Sequence, residues 1–174
     1  MIRNASQEDL NAVAALTEEA KKIMAEDNNP QWDEAYPLLE HFEEDITNKS
    51  LFVLEEENTI YGYIVIDQNQ SKWYDELEWP IDRTNAYVIH RLAGSANYKG
   101  AATALFNFAV ERALDHGVDV LLTDTYAANQ RAQNLFEKFG FHKAGEANLN
   151  YPPYDKEESF LSLIHISEPT RLGM

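Results

Sequence analysis

The period of apolar residues changes several times along this chain, and each change marks an expected element. Residues 2–5 read as a short first strand. Ser6 followed by Asp9 resembles a capping box with Asp in the Glu position. Leu10, Val13, Ala14, Ala20, Ile23 and Met24 then recur at helical spacing until Asp27-Asn28-Asn29-Pro30 breaks the pattern. A second, acidic helix is expected over 37–48. Residues 51–54 and 60–66 read as the arms of a hairpin turning at Glu56-Glu57-Asn58. A polar stretch with Trp73, Trp79 and Pro80 precedes the next strand, expected over 87–92. A loop over 94–100 leads into a strong helix with Ala102, Leu105, Phe106, Ala109 and Ala113 on one face and Thr103, Asn107, Glu111 and Asp115 on another. His116-Gly117 ends it. Residues 118–122 read as a buried strand, and Ala132, Leu135, Phe136 and Phe139 as a further helix closed by Gly140. Residues 141–144 and 159 onward supply two last strands. A helical pair, a hairpin, then strand–helix–strand–helix–strand implies one α/β domain on a mixed sheet.

Composition narrows the chemistry. The 174 residues hold no cysteine, which excludes a disulfide scaffold, cysteine-ligated zinc, an iron–sulfur cluster and a thiol nucleophile, and no metal site is expected. The first residues lack the apolar stretch of a signal peptide, and no run approaches the roughly 18 apolar residues of a membrane helix. The expectation is a cytoplasmic protein without a membrane partner. The net charge of −16 argues against nucleic acid, which needs a basic face. That charge is uneven: residues 1–82 carry −15 and residues 144–174 carry −3, whereas residues 83–143 carry +2. A polyanion site in the middle of the chain fits this distribution, as does an ordinary acidic surface.

The loop Gly94-Ser95-Ala96-Asn97-Tyr98-Lys99-Gly100 falls in that middle stretch and joins a strand to a helix N-terminus. Such a junction offers unpaired N–H groups and the positive end of a helix dipole, suited to a phosphate or pyrophosphate. Gly100, Ala101 and Ala102 permit close approach, and Lys99 adds charge. An ordinary strand–helix turn has the same outline.

Three segments taken together say more. His90-Arg91-Leu92-Ala93, Asn97-x-x-Gly100-x-Ala102, and Asn129-x-x-Ala132-x-x-Leu135-Phe136-Glu137-Lys138-Phe139-Gly140-Phe141 resemble the GCN5-related N-acetyltransferase (GNAT) family. The Asn29-Pro30-Gln31-Trp32-Asp33 to Tyr36-Pro37 stretch is similar to small bacterial members, and the likeness covers about residues 1–160. The resemblance implies the GNAT fold: an α/β domain on a single mixed, mostly antiparallel sheet with splayed central strands and flanking helices. It implies acetyl-CoA as cosubstrate, with the pantetheine arm along Leu92, Ala93 and Gly94 and the pyrophosphate on the amides of Asn97, Tyr98, Lys99, Gly100, Ala101 and Ala102. Asn129 would hold the pantetheine arm or order its cleft, and Phe136 would pack beside the thioester. The implied reaction is direct attack of a primary amine, on a small molecule or a peptide, by a monomer or homodimer. Segments around Trp32, Trp79 and Tyr151 form the acceptor side in the family, and the acidic first half favours a cationic amine.

Two residues depart from the family pattern. Asn97 stands where Gln or Arg is usual, and Phe136 stands where many members have a tyrosine that protonates the leaving thiolate. Candidate replacements for that acid are Tyr126, His90 and Asp124, with His90 also readable as a structural histidine and Asp124 as a turn cap. A non-catalytic acyl-CoA-binding or sensing domain is the alternative that Phe136 raises. Residues 161–171 resemble a translated sequencing-library adapter, so 161–174 are expected to be a non-native tail after an N-acetyltransferase domain over 1–160, although 160–166 alternates well enough to form a strand.

Overall fold

The computed structural model describes residues 1–148 and 160–166. Seven strands and four helices follow the expected order: β1 Ile2–Asn4, α1 Leu10–Glu26, α2 Leu39–Thr47, β2 Leu51–Glu56, β3 Thr59–Asp67, β4 Tyr87–Gly94, α3 Ala101–Asp115, β5 Val120–Tyr126, α4 Gln130–Lys138, β6 His142–Ala147 and β7 Phe160–Ile166. They form one mixed sheet in the order β1-β2-β3-β4-β5-β7-β6. Strands β4 and β5 run parallel, and β1–β2, β2–β3, β5–β7 and β6–β7 run antiparallel. The parallel ladder holds only Tyr87↔Leu121 and Val88↔Leu122, after which the Thr123 hydroxyl donates to the Ile89 carbonyl at 2.9 Å. The chain packs as two compact units, Met1–Ile66 with His90–Phe108, and Asp67–Ile89 with Ala109 and the described residues after it.

In the first unit, α1 and α2 bury Val13 and Phe42 against Leu51, Val53, Tyr63, Val65 and Ala93. Thr17 tolerates this interior because its hydroxyl donates to the Val13 carbonyl at 2.8 Å and lies 2.8 Å from the Tyr63 hydroxyl. The hairpin turns at Glu57 and Asn58, both at positive φ (49° and 64°), as a tight turn between twisted strands requires. The other sheet face stacks Phe52 on Phe108 of α3 with ring centroids 4.8 Å apart.

The entry to α1 is an ion cluster. The Asp9 carboxylate accepts from the Ser6 N–H at 2.7 Å, the helix-ward half of the expected box, and from both Arg3 Nη atoms at 2.8 and 3.0 Å. Arg3 also reaches Glu55 at 2.9 Å. The hydrogen bond from Arg3 holds the Asp9 carboxyl below its ordinary range, and the same residue lowers Glu55. A depressed carboxylate stabilises the fold above its unfolded pKa and loses that contribution as pH falls through the folded value. Arg3→Ala is therefore expected to lower the urea midpoint at pH 7 and to leave a shrinking difference from the unsubstituted protein as pH falls below about 4. Paired urea titrations at pH 7 and pH 3 measure this.

In the second unit, a single turn over Lys72–Glu76 carries Trp73 and Tyr74 into a cluster with Ala86, Val88, Leu122, Tyr126 and Ile164. Helix α4 ends in a Schellman motif: Phe141 N–H donates to the Phe136 carbonyl and Gly140 N–H to Glu137, both at 2.9 Å, with Gly140 at φ +96°. Strand β7 fills a position between β5 and β6, seven residue pairs long against β5, so segment 160–166 is an inner strand of the sheet.

Candidate coenzyme and acyl-transfer site

Strand β4 ends where the loop to α3 begins, and the loop is built mostly from its own backbone. Ser95 N–H donates to the Tyr61 carbonyl at 2.7 Å, which ties the loop to β3, and the rings of Tyr61 and Tyr98 lie 5.2 Å apart. Asn97 N–H donates to the Ser95 hydroxyl, Tyr98 N–H to the Ser95 carbonyl and Ala101 N–H to the Tyr98 carbonyl. The Ala96 N–H donates to the Glu19 carboxylate of α1 at 3.1 Å. Among the described residues, no acceptor is found for the N–H groups of Lys99, Gly100, Ala102 and Thr103, the last three of them at the positive end of α3. Gly100 sits at φ +84° with open space around it, so its backbone conformation asks for glycine. Gly94 is glycine for space: a Cβ there would lie 2.9 Å from Ala101 Cβ and 3.4 Å from Ala102 N. Leu92 is half-buried, Ala93 and Ala101 are buried, and Asn97, Lys99 and Gly100 are exposed. A row of free N–H groups, small residues and one lysine suits a diphosphate.

The other expected site residues belong to the second unit. Asn129 is buried, and its side-chain oxygen accepts from Ala132 N–H at 3.0 Å as the N-cap of α4. Phe136 is buried edge-on to Phe141, with centroids 5.1 Å apart. Tyr126 is 1% exposed and packs within the Trp73–Tyr74 cluster, a core position that gives its side chain no opening to solvent. Asp124 accepts a 2.5 Å hydrogen bond from the hydroxyl of buried Tyr74, so a tertiary contact orients it. His90 is half-buried on β4. Trp79 donates through Nε1 to the Tyr74 carbonyl at 2.8 Å. Tyr151 lies outside the described residues.

The first unit contains a constellation that pattern reading did not single out. Arg91 of β4 forms an ion pair with Asp45 of α2, and its Nη1 donates to the Tyr36 hydroxyl at 2.6 Å. The guanidinium also lies 5.8 Å from the Tyr36 ring and 5.5 Å from the Phe42 ring. Burial works against its charge, but Tyr36 and Asp45 outweigh burial and hold the Arg91 pKa above its ordinary value. Burial likewise pushes the Tyr63 phenol up. The available signal was Asp45, three residues after Phe42 on the apolar stripe of α2: an acid there needs a partner. A cavity of about 970 Å³ opens between α1 and α2, lined by buried Thr17, Trp32 and Phe42 and by Glu18, Glu34, Lys21 and Lys22.

Among the described residues, no helix is long and apolar enough to cross a membrane. A search of curated proteins finds no match. The family model for the acetyltransferase (GNAT) family matches residues 15–141. A crystal structure from Staphylococcus aureus Mu50 described as an acetyltransferase is 47% identical, with a TM-score of 0.75 over 95% of this chain and 98% of that one. A GNAT-family acetyltransferase from Streptococcus agalactiae 2603 is 24% identical, with a TM-score of 0.83 over 97% and 95% of the two chains. The ribosomal-protein-S18-alanine N-acetyltransferase of Escherichia coli shares the fold at 18% identity, with a TM-score of 0.66 over 97% and 94%. With its fold and more than half of its length matched, the chain belongs to the GNAT acetyltransferase family.

Proposed function

We propose that this protein is an acetyl-CoA-dependent N-acetyltransferase that moves the acetyl group to a primary amine by direct attack. The observation that carries the reading is the β4–α3 loop: free N–H groups at 99, 100, 102 and 103, with no side chain beyond Ala101 Cβ crowding Gly94. In this reading Asn97 to Ala102 bind the pyrophosphate and Leu92, Ala93 and Gly94 offer backbone to the pantetheine arm. Asn129 holds the start of α4 in place for the coenzyme, and Phe136 supplies an apolar wall. The thioester brings an activated acyl carbon; the protein supplies orientation and proton transfers. Asp124, whose carboxyl is held by the Tyr74 hydroxyl, is placed as a candidate to receive the proton an attacking ammonium must lose. The α1–α2 cavity, lined by the apolar faces of Trp32 and Phe42 with both acids (Glu18, Asp33, Glu34) and lysines (Lys21, Lys22) around them, offers room for an acceptor.

Phe136 favours a second reading, a domain that binds acyl-CoA without turnover, because its ring carries no proton to give. One assay separates the two. Incubation with acetyl-CoA across polyamines, amino acids, aminoglycosides and peptides with free N-termini, following free thiol, is expected to show amine-dependent thiol release. Coenzyme binding with no thiol release for any amine would establish the sensor, and no thermal shift with coenzyme A would sink both.

A further inference from the structure

The Phe136 ring has no proton to give a departing sulfur, and the first unit holds a hydroxyl with a fixed cation beside it. Tyr36 lies between α1 and α2 and is only part-buried. Its oxygen accepts from Arg91 Nη1 at 2.6 Å, so a lone pair is committed to the guanidinium. The hydroxyl proton must point elsewhere, and among the described residues it meets no acceptor. Arg91 cannot swing away: its other arm is paired with Asp45, the Tyr36 and Phe42 rings flank it, and its Nε is buried without a partner. Arg91 directly precedes Leu92-Ala93-Gly94, the strand edge to which the proposed function assigns the pantetheine arm.

We propose that Tyr36 is the proton donor to the leaving sulfur in this protein, with Arg91 as the positioning residue that stabilises the phenolate. The inference rests on the acetyltransferase reading. In the step, the amine nitrogen bonds to the acyl carbon and the carbon–sulfur bond breaks with its electron pair on sulfur. The Tyr36 proton passes to that sulfur, giving the free thiol. The surplus proton on the new amide nitrogen returns through solvent to the Tyr36 oxygen, so donor and charge are restored. A phenolate facing a fixed guanidinium is better stabilised than one facing water, which lowers the barrier to giving up the proton.

Tyr36→Phe keeps the ring that packs on Arg91 and removes only the proton. It is expected to lower kcat about 100-fold while the Kd for acetyl-CoA stays within about two-fold. An unchanged kcat overturns the proposal, as does a kcat loss in Tyr126→Phe that Tyr36→Phe does not share. If the unsubstituted protein turns over and Tyr36→Phe matches it, only the donor assignment fails. If the unsubstituted protein binds coenzyme without turnover, the acetyltransferase reading fails and this proposal with it.

Discussion

Arg91→Ala is expected to lower the unfolding free energy by about 3–5 kcal/mol, because it breaks a buried ion pair. The Arg91 side chain is 9% exposed and that of Asp45 13%, so neither charge has water to fall back on. Removing the guanidinium takes an ion-pair partner from buried Asp45 of α2, takes the donor from the Tyr36 hydroxyl, and opens a void beside the Tyr36 and Phe42 rings. All three effects have the same sign. For a chain of this length the loss corresponds to a fall in Tm on the order of 10 °C. The pair itself need not be stabilising relative to an apolar substitute, since desolvating two ions offsets most of their attraction. Arg91→Met with Asp45→Leu should therefore recover most of what Arg91→Ala loses. Urea unfolding of both variants measures the difference; equal losses would show that the cost lies in packing and not in the broken ion pair.

That pair also marks where sequence pattern stops being informative. Helix α3 was legible in its two faces: Leu105, Phe106, Ala109 and Ala113 are buried and Ala102 is half-buried, whereas Thr103, Asn107, Glu111 and Asp115 are exposed. A 3.6-residue period is a local property of the chain. The same holds for the Gly140 cap and the hairpin turn. Arg91 and Asp45 are 46 residues apart, and nothing local says that they meet. Trp73 and Tyr74 sit among polar residues without periodicity, yet a single turn buries both, because aromatic area is worth burying wherever the backbone can deliver it. Strand β5 begins two residues later than 118 and runs on to Tyr126, since Thr123 and Thr125 enter the interior, Thr123 with its hydroxyl bonded to Ile89. Asp124 is read equally well as a turn cap until Tyr74 supplies its hydrogen bond. In the loop after β4 the glycines were readable, but only geometry separates the two reasons for them, conformation at 100 and space at 94.

Gly94→Ala turns that distinction into the second large effect. The added Cβ would lie 2.9 Å from Ala101 Cβ, 3.4 Å from Ala102 N and 3.7 Å from Ala101 C. No rotamer relieves this contact, because an alanine Cβ and two backbone atoms can move only with the chain that carries them. The end of β4 and the first turn of α3 must therefore separate, at about 1–3 kcal/mol for overpacking of this kind. The separation acts on the N–H groups that the proposed function assigns to the pyrophosphate, so coenzyme A affinity should fall by roughly tenfold or more. Gly100→Ala is the contrasting variant. A Cβ there meets nothing within 4 Å, and its cost is the left-handed backbone at φ +84°, about 1–2 kcal/mol. Gly100→Asn should recover part of that loss, since asparagine tolerates the left-handed region, whereas no side chain should rescue position 94. Calorimetric titration with coenzyme A and urea unfolding on the same samples test both halves. Full affinity in Gly94→Ala would show that the strand–helix junction does not set the phosphate site.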